Sequence, residues 1–94
     1  MSLEFGDAKK AQANRATHGI DFEEALTVFR DPLARIFDDE AHSQIERREI
    51  IIGHSVKQRL ILVSFTVRQS RIRIISARRA TPLERKDYEE NVRP

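Results

Sequence analysis

The chain has 94 residues, no cysteine, and 39% hydrophobic and 34% charged residues. That length fits one domain with a thin core, burying about 60–65% of the surface its unfolded form exposes. The composition is too apolar for a disordered chain, leaves no disulfide or thiolate–metal framework, and contains no apolar run near the roughly 18 residues of a membrane span. With no basic start or apolar stretch at the N-terminus to read as a signal peptide, the expected compartment is the cytoplasm. The net charge is only +2, yet residues 1–46 carry 5 Lys/Arg against 10 Asp/Glu and residues 47–94 carry 12 against 5. An arginine-rich half suits phosphate, since the planar guanidinium offers paired donors, and it equally suits an acidic protein partner.

Residues 7–18 read as a short helix with Ala8, Ala11 and Arg15 along one side and Gly19 as its stop. A second helix follows. Asp21 is its N-cap, Glu24 stands three residues on as in a capping box, and Phe22, Ala25, Leu26 and Phe29 form the buried stripe. Asp31-Pro32 ends it. The period then changes to that of strands: 33–37, 47–53, 59–67 and 71–77, rich in Ile, Val and Phe. Arg68-Gln69-Ser70 is short enough for a tight hairpin, which makes the last two strands antiparallel neighbours. Leu3 to Phe5 is a candidate extra edge strand. On the third of these strands Leu60 and Leu62 point one way and Ile61, Val63 and Phe65 the other. The sheet is therefore covered on both sides, or one face docks a partner. Thr81, Pro82 and Glu84 open a last helix, running to about Asn91, with a second capping box. The expected class is α+β: two N-terminal helices, an antiparallel sheet of four strands, or five with the extra edge, and a C-terminal helix.

No Gly-rich phosphate loop or nucleophile elbow is present. The histidines His18, His42 and His54 match no zinc spacing, so no metal and no cofactor is expected. His18 reads as a helix C-cap or as a proton-transfer group. Glu46, Arg47 and Arg48 open a strand, Arg71 and Arg73 share one face of another, and Arg78 and Arg79 sit where the sheet hands over to the last helix. Tyr88 lies one turn beyond Glu84 and reads as a core-edge residue or a functional one. On an RNA substrate, metal-free cleavage needs a base for the 2′-OH, cations for the phosphoryl charge and an acid for the leaving 5′-oxygen. His18 or Glu46 is the candidate base. Arg78 and Arg79, with Arg47 or Arg71, are the candidate cations, and Tyr88 or His18 the candidate acid. Tyr88 is also a candidate base-stacking contact. Lys9, Lys10, Arg47, Arg71 and Arg73 are candidate contacts to RNA phosphates.

Asn14-Arg15-Ala16-Thr17-His18-Gly19-Ile20-Asp21-Phe22-Glu23-Glu24-Ala25 and Val28-Phe29-Arg30-Asp31-Pro32 resemble stretches of the BrnT toxins. So do His42-Ser43, Glu46-Arg47, Ile51-Ile52-Gly53-His54-Ser55, and the run from Arg71 to Thr81 with Glu84-Arg85 and Tyr88-Glu89. The resemblance spans about Glu4 to Glu90, in order. It implies a RelE-like fold, a ribonuclease that arrests translation, a BrnA-type antitoxin bound in a hetero-oligomer, and promoter DNA contacted through that antitoxin. Two departures stand out: Thr17 replaces the family's usual Lys before His-Gly, and Glu4-Phe5-Gly6-Asp7 lacks its Trp. They motivate an alternative, a catalytically weakened toxin-fold partner acting only in the antitoxin complex.

Overall fold

In the computed structural model, which describes residues 2–4, 8–42 and 46–91, the chain runs as an alternation of helix and sheet. Its order is β1 (Ser2–Glu4), α1 (Ala8–His18), α2 (Phe22–Thr27) with a 3-10 turn at Val28–Arg30, β2 (Arg35–Asp38), a 3-10 turn at Glu40–His42, β3 (Glu49–His54), β4 (Leu60–Arg68), β5 (Arg71–Arg79) and α3 (Pro82–Asn91). The sheet has five strands in the order β1-β5-β4-β3-β2. The four strands β2 to β5 are antiparallel neighbours, whereas β1 pairs parallel with β5, Leu3 opposite Ile72. The expected extra edge strand thus exists but is not antiparallel. No hairpin ties it to its neighbour, so nothing local imposes the antiparallel sense. Phe5, the expected helix start at Asp7 and Ser43 lie outside the described residues.

Local chemistry sets the element ends. The β4–β5 turn is Gln69-Ser70, with φ of 49° and 66°. Two successive left-handed residues are what a two-residue turn needs to match the twist of its strands. Arg68 therefore stays in the ladder, opposite Arg71. β2 begins at Arg35 rather than Leu33 because Asp31 holds the preceding turn: its Oδ1 accepts from Leu33 N at 2.9 Å and its carbonyl from Ala34 N at 3.1 Å. Gly53 lets β3 pass against this turn, since a Cβ there would meet Ala34 Cβ at 2.9 Å and Asp31 Oδ2 at 3.0 Å. Gly19, with φ of 69°, ends α1 in the left-handed conformation that costs glycine nothing.

The two capping boxes differ. At α3 the box is reciprocal, Thr81 N to Glu84 Oε1 at 2.8 Å and Glu84 N to Thr81 Oγ1 at 3.2 Å. At α2, Glu24 N does donate to Asp21 Oδ1 at 2.7 Å, but the Glu24 carboxylate turns inward. There it is buried and accepts from Ser55 Oγ at 2.7 Å and from Arg59 Nε at 2.8 Å, tying α2 to the β3–β4 loop. The guanidinium holds the Glu24 carboxyl below its ordinary value against the opposing effect of burial.

Both faces of the sheet are apolar where strand periodicity places them. Ile51, Ile61, Val63, Phe65, Ile72, Ile74 and Ala77 pack with Ile20, Phe22, Ala25 and Val28 under the N-terminal helices. Phe29 meets Phe65 edge to face at 4.9 Å. On the other side Ile52, Leu60 and Leu62 pack with Tyr88 of α3. Ala11 of α1 packs against the core under the N-terminal helices, and beside it Asn14 is buried: its amide donates to Ile20 O at 2.8 Å and accepts from Ala77 N at 2.9 Å. That bond satisfies β5 beyond the end of β1. Among the described residues no helix is long and apolar enough to cross a membrane.

Candidate active site

α3 packs through Tyr88 on Ile52, Leu60 and Leu62, at the end of the sheet face nearest its own start. At the far end of that face, Glu46 is ion-paired with Arg68 of β4. Thr66 beside it is buried, and its Oγ1 donates to Arg47 O at 2.7 Å, which fixes the chain entering β3. Thr66 stands opposite Arg73 in the ladder, and Arg71 stands opposite Arg68. The hydrogen bond and charge of Arg68, with a smaller contribution from the charge of Arg73, hold the Glu46 carboxyl below its ordinary value, so it is an anion at neutral pH. An ionised carboxylate among arginines, at a surface open to solvent, can accept a proton next to groups that attract a phosphoryl oxygen.

Of the residues singled out from sequence, the structure brings Glu46 and Arg73 near one another and adds Arg68 and Thr66, while Arg71 stands opposite Arg68 in the ladder. Arg68 had been read only as a turn residue. Its position beside two positive-φ residues, at the last ladder pair, is the signal that would have placed it. Arg47 follows Glu46 but turns away: its guanidinium pairs with Asp38 of β2 at 2.7 Å.

Arg78 lies on β5 five residues beyond Arg73, about 17 Å along the strand. Its guanidinium grips Glu84 through two bonds of 2.8 and 2.9 Å. This pairing lowers the Glu84 carboxyl to about 2. Arg79 points elsewhere, into a pocket with Arg59 and Arg85. His18 and Lys10 line a shallow depression of α1 with Thr17 and Ile75, at the β5 edge, and Lys9 is exposed on the same helix. None of Arg78, Arg79, His18, Lys9 and Lys10 is in the Glu46 cluster.

Tyr88 is buried beneath α3. Its hydroxyl donates to Asp31 Oδ2 at 3.3 Å, and its ring meets that of His54 at 5.6 Å, edge to face. Burial and the Asp31 charge push the phenol up. Burial opposes ionisation of Asp31 too, but the N–H groups of His54, at 2.7 Å, and Leu33 outweigh it and lower its carboxyl. Asp31 therefore links α2, β3 and α3. Sequence reading had given it only the role of ending a helix. Among the described residues no three His, Asp or Glu side chains gather as a metal-ion group.

Residues 7–84 match the profile of the family described as ribonuclease toxin, BrnT, of type II toxin–antitoxin system. Among solved structures, the chain is similar to the ribonuclease toxin BrnT of Brucella abortus, known from a 1.1 Å crystal structure. The TM-score is 0.62 at 29% identity, over 80% of this chain and 91% of that one. No curated protein sequence matches the chain.

Proposed function

Because the chain belongs to the BrnT family of ribonuclease toxins of type II toxin–antitoxin systems, we propose that it is an endoribonuclease that cleaves RNA without a metal ion and so arrests translation. In this reading residues 1–94 form one toxin domain with a RelE-like fold, working in the cytoplasm. A BrnA-like antitoxin neutralises it in a hetero-oligomer and carries the complex to promoter DNA.

The observation that supports the reading is the Glu46 carboxylate ion-paired with Arg68, with the charge of Arg73 nearby. RNA carries its own nucleophile, the 2′-OH, so the protein has only to take that proton, neutralise charge on phosphorus and let a proton reach the 5′-oxygen. Glu46 takes the proton. Arg73 and Arg71 stabilise the phosphoryl oxygens. Arg78, Arg79 and Arg47 hold phosphates further along the strand, with Lys9 and Lys10 on the α1 side. Solvent supplies the proton to the leaving oxygen, since His18 lies on α1 against the other face of the sheet. Tyr88 is a positioning residue that works through Asp31. The test is incubation of the folded protein with RNA in excess chelator: the products should end in 2′,3′-cyclic phosphate and not form with Glu46→Gln.

The alternative of a weakened toxin rests on Thr17, which stands exposed beside His18 and Lys10 where the family's usual lysine would add a cation. In that case Thr17→Lys raises cleavage of RNA above that of the natural chain. An unchanged rate in the variant removes this reading.

A further inference from the structure

A second basic pocket lies at the opposite end of the sheet from Glu46. It has a volume of about 260 Å³ and is lined by Gln58, Arg59, Leu60, Arg79, Ala80 and Arg85. The fold builds it from three places: the β3–β4 loop, the last residue of β5 and the first turns of α3. Ala80 N donates to Leu60 O at 3.0 Å, which closes the floor.

The three guanidinium groups differ in what they can offer. Arg59 is committed to Glu24 and to Gly19 O. Its charge is thereby matched and its position fixed. Arg79 is exposed and, among the described residues, has no carboxylate partner within ion-pair distance. Arg85 has only Glu89, at 3.8 Å, with both side chains at least half exposed. Such a pair is worth little in water. Among the described residues, no acidic one lines the pocket. At the start of α3 the Thr81 and Glu84 N–H groups are already held by the capping box. Two under-used, fork-shaped donors around a small polar recess fit a phosphate group, which accepts paired N–H bonds.

We infer that this pocket is a second phosphate subsite, in which Arg79 and Arg85 hold a phosphate of an RNA strand whose reacting bond lies at Glu46. The inference rests on the ribonuclease reading for its ligand, RNA, but not for the pocket's affinity for phosphate. Leu60 and Thr66 are six residues apart on β4, about 20 Å at strand rise. A bound strand must therefore span several nucleotides to occupy both sites, and short RNAs do not profit from the pocket.

The test uses the full chain, labelled for the arginine Nε–H resonances. The probes are inorganic phosphate and 2′-O-methyl dinucleotides and octanucleotides, each with and without a 5′-phosphate. Phosphate should move the Arg79 and Arg85 resonances before those of other exposed arginines. Arg79→Gln with Arg85→Gln should weaken octanucleotide binding about tenfold or more, well beyond its effect on the dinucleotide. The salt slope should fall by about 0.7 for one lost phosphate contact. Arg85→Gln alone, on an exposed helix face, should give the same direction of change if the double variant fails to fold. Dependence on the 5′-phosphate identifies a terminal monoester in the pocket, and independence identifies an internal diester. If phosphate moves all exposed arginines alike, or octanucleotide affinity and salt slope stay at the natural values, the subsite is refuted. A chain that binds phosphate here but does not cleave RNA refutes the ribonuclease reading and leaves the pocket standing.

Discussion

One guanidinium, that of Arg78, holds Glu84 through two hydrogen bonds, while the same carboxylate caps α3 at Thr81 N. The last strand and the last helix are thus joined by a single carboxylate, and Arg78 serves the fold as well as any phosphate it meets. Arg78 lies about 17 Å along β5 from Arg73 and meets a phosphate away from the reacting bond, so Arg78→Ala should lower cleavage only about tenfold, through weaker RNA binding. It should also cost about 1–2 kcal/mol of stability, because Glu84 loses its partner. Rates and denaturant midpoints measured on Arg78→Ala and Arg78→Lys separate the two losses. The lysine should restore stability only in part, since one ammonium cannot make the paired contact.

The same pair sets an acid limit. The Glu84 carboxyl sits at about 2 in the fold against an ordinary 4.5. Its folded value is depressed, so its contribution is complete above about 4.5 and disappears as pH falls towards 2. Because Arg78 is 42% exposed, solvent screening reduces the effect to the order of 1–2 kcal/mol. Unfolding midpoints of the natural chain and Glu84→Gln should differ by a constant amount at neutral pH. The two should converge as the pH is lowered through that window.

Glu24 should be less forgiving. Its side chain is 1% exposed and carries the contacts to both Arg59 and Ser55. Glu24→Ala leaves a guanidinium without its partner and should cost about 3 kcal/mol or more. A double variant, Glu24→Leu with Arg59→Met, should recover much of that loss, because an apolar pair can replace a buried ion pair. Thermal unfolding of the three proteins checks both statements. A double variant no more stable than Glu24→Ala contradicts them.

For Tyr88 the geometry argues for positioning. Its hydroxyl is buried and directed to Asp31. Tyr88→Phe should lose about 1 kcal/mol of stability and less than about tenfold in cleavage. A loss of the 10²–10³-fold size expected of a reacting group would instead make the phenol the acid.

Strand periodicity made much of this fold legible. The alternation from Leu60 to Phe65 assigned each residue to the face where it packs. Two-sided packing was readable for the same reason: α3 covers one face and α1 and α2 the other. What the sequence concealed were contacts between residues far apart in the chain. Glu24 looked like a capping residue, and only the fold shows it 35 positions from its partner Arg59. Asp31 looked like a helix terminator, yet its carboxylate meets His54 and Tyr88. The arginines were recognisable as a group but not sortable. Arg78 and Arg79 are adjacent in sequence, and strand alternation sends one to Glu84 and the other to a separate pocket. The face that Arg71 and Arg73 share followed from period two alone. The nearness of Arg73 to Glu46 required the turn at Gln69-Ser70 and the register it sets.

The most direct measurement of the central claim is cleavage of a defined RNA by the purified protein in excess EDTA, with the product ends identified. Fragments ending in 2′,3′-cyclic phosphate should form at a rate unaffected by the chelator, and Glu46→Gln should lower that rate about 10²-fold or more. A folded protein that leaves the RNA intact, or one that cleaves equally well without the Glu46 carboxylate, would contradict the claim.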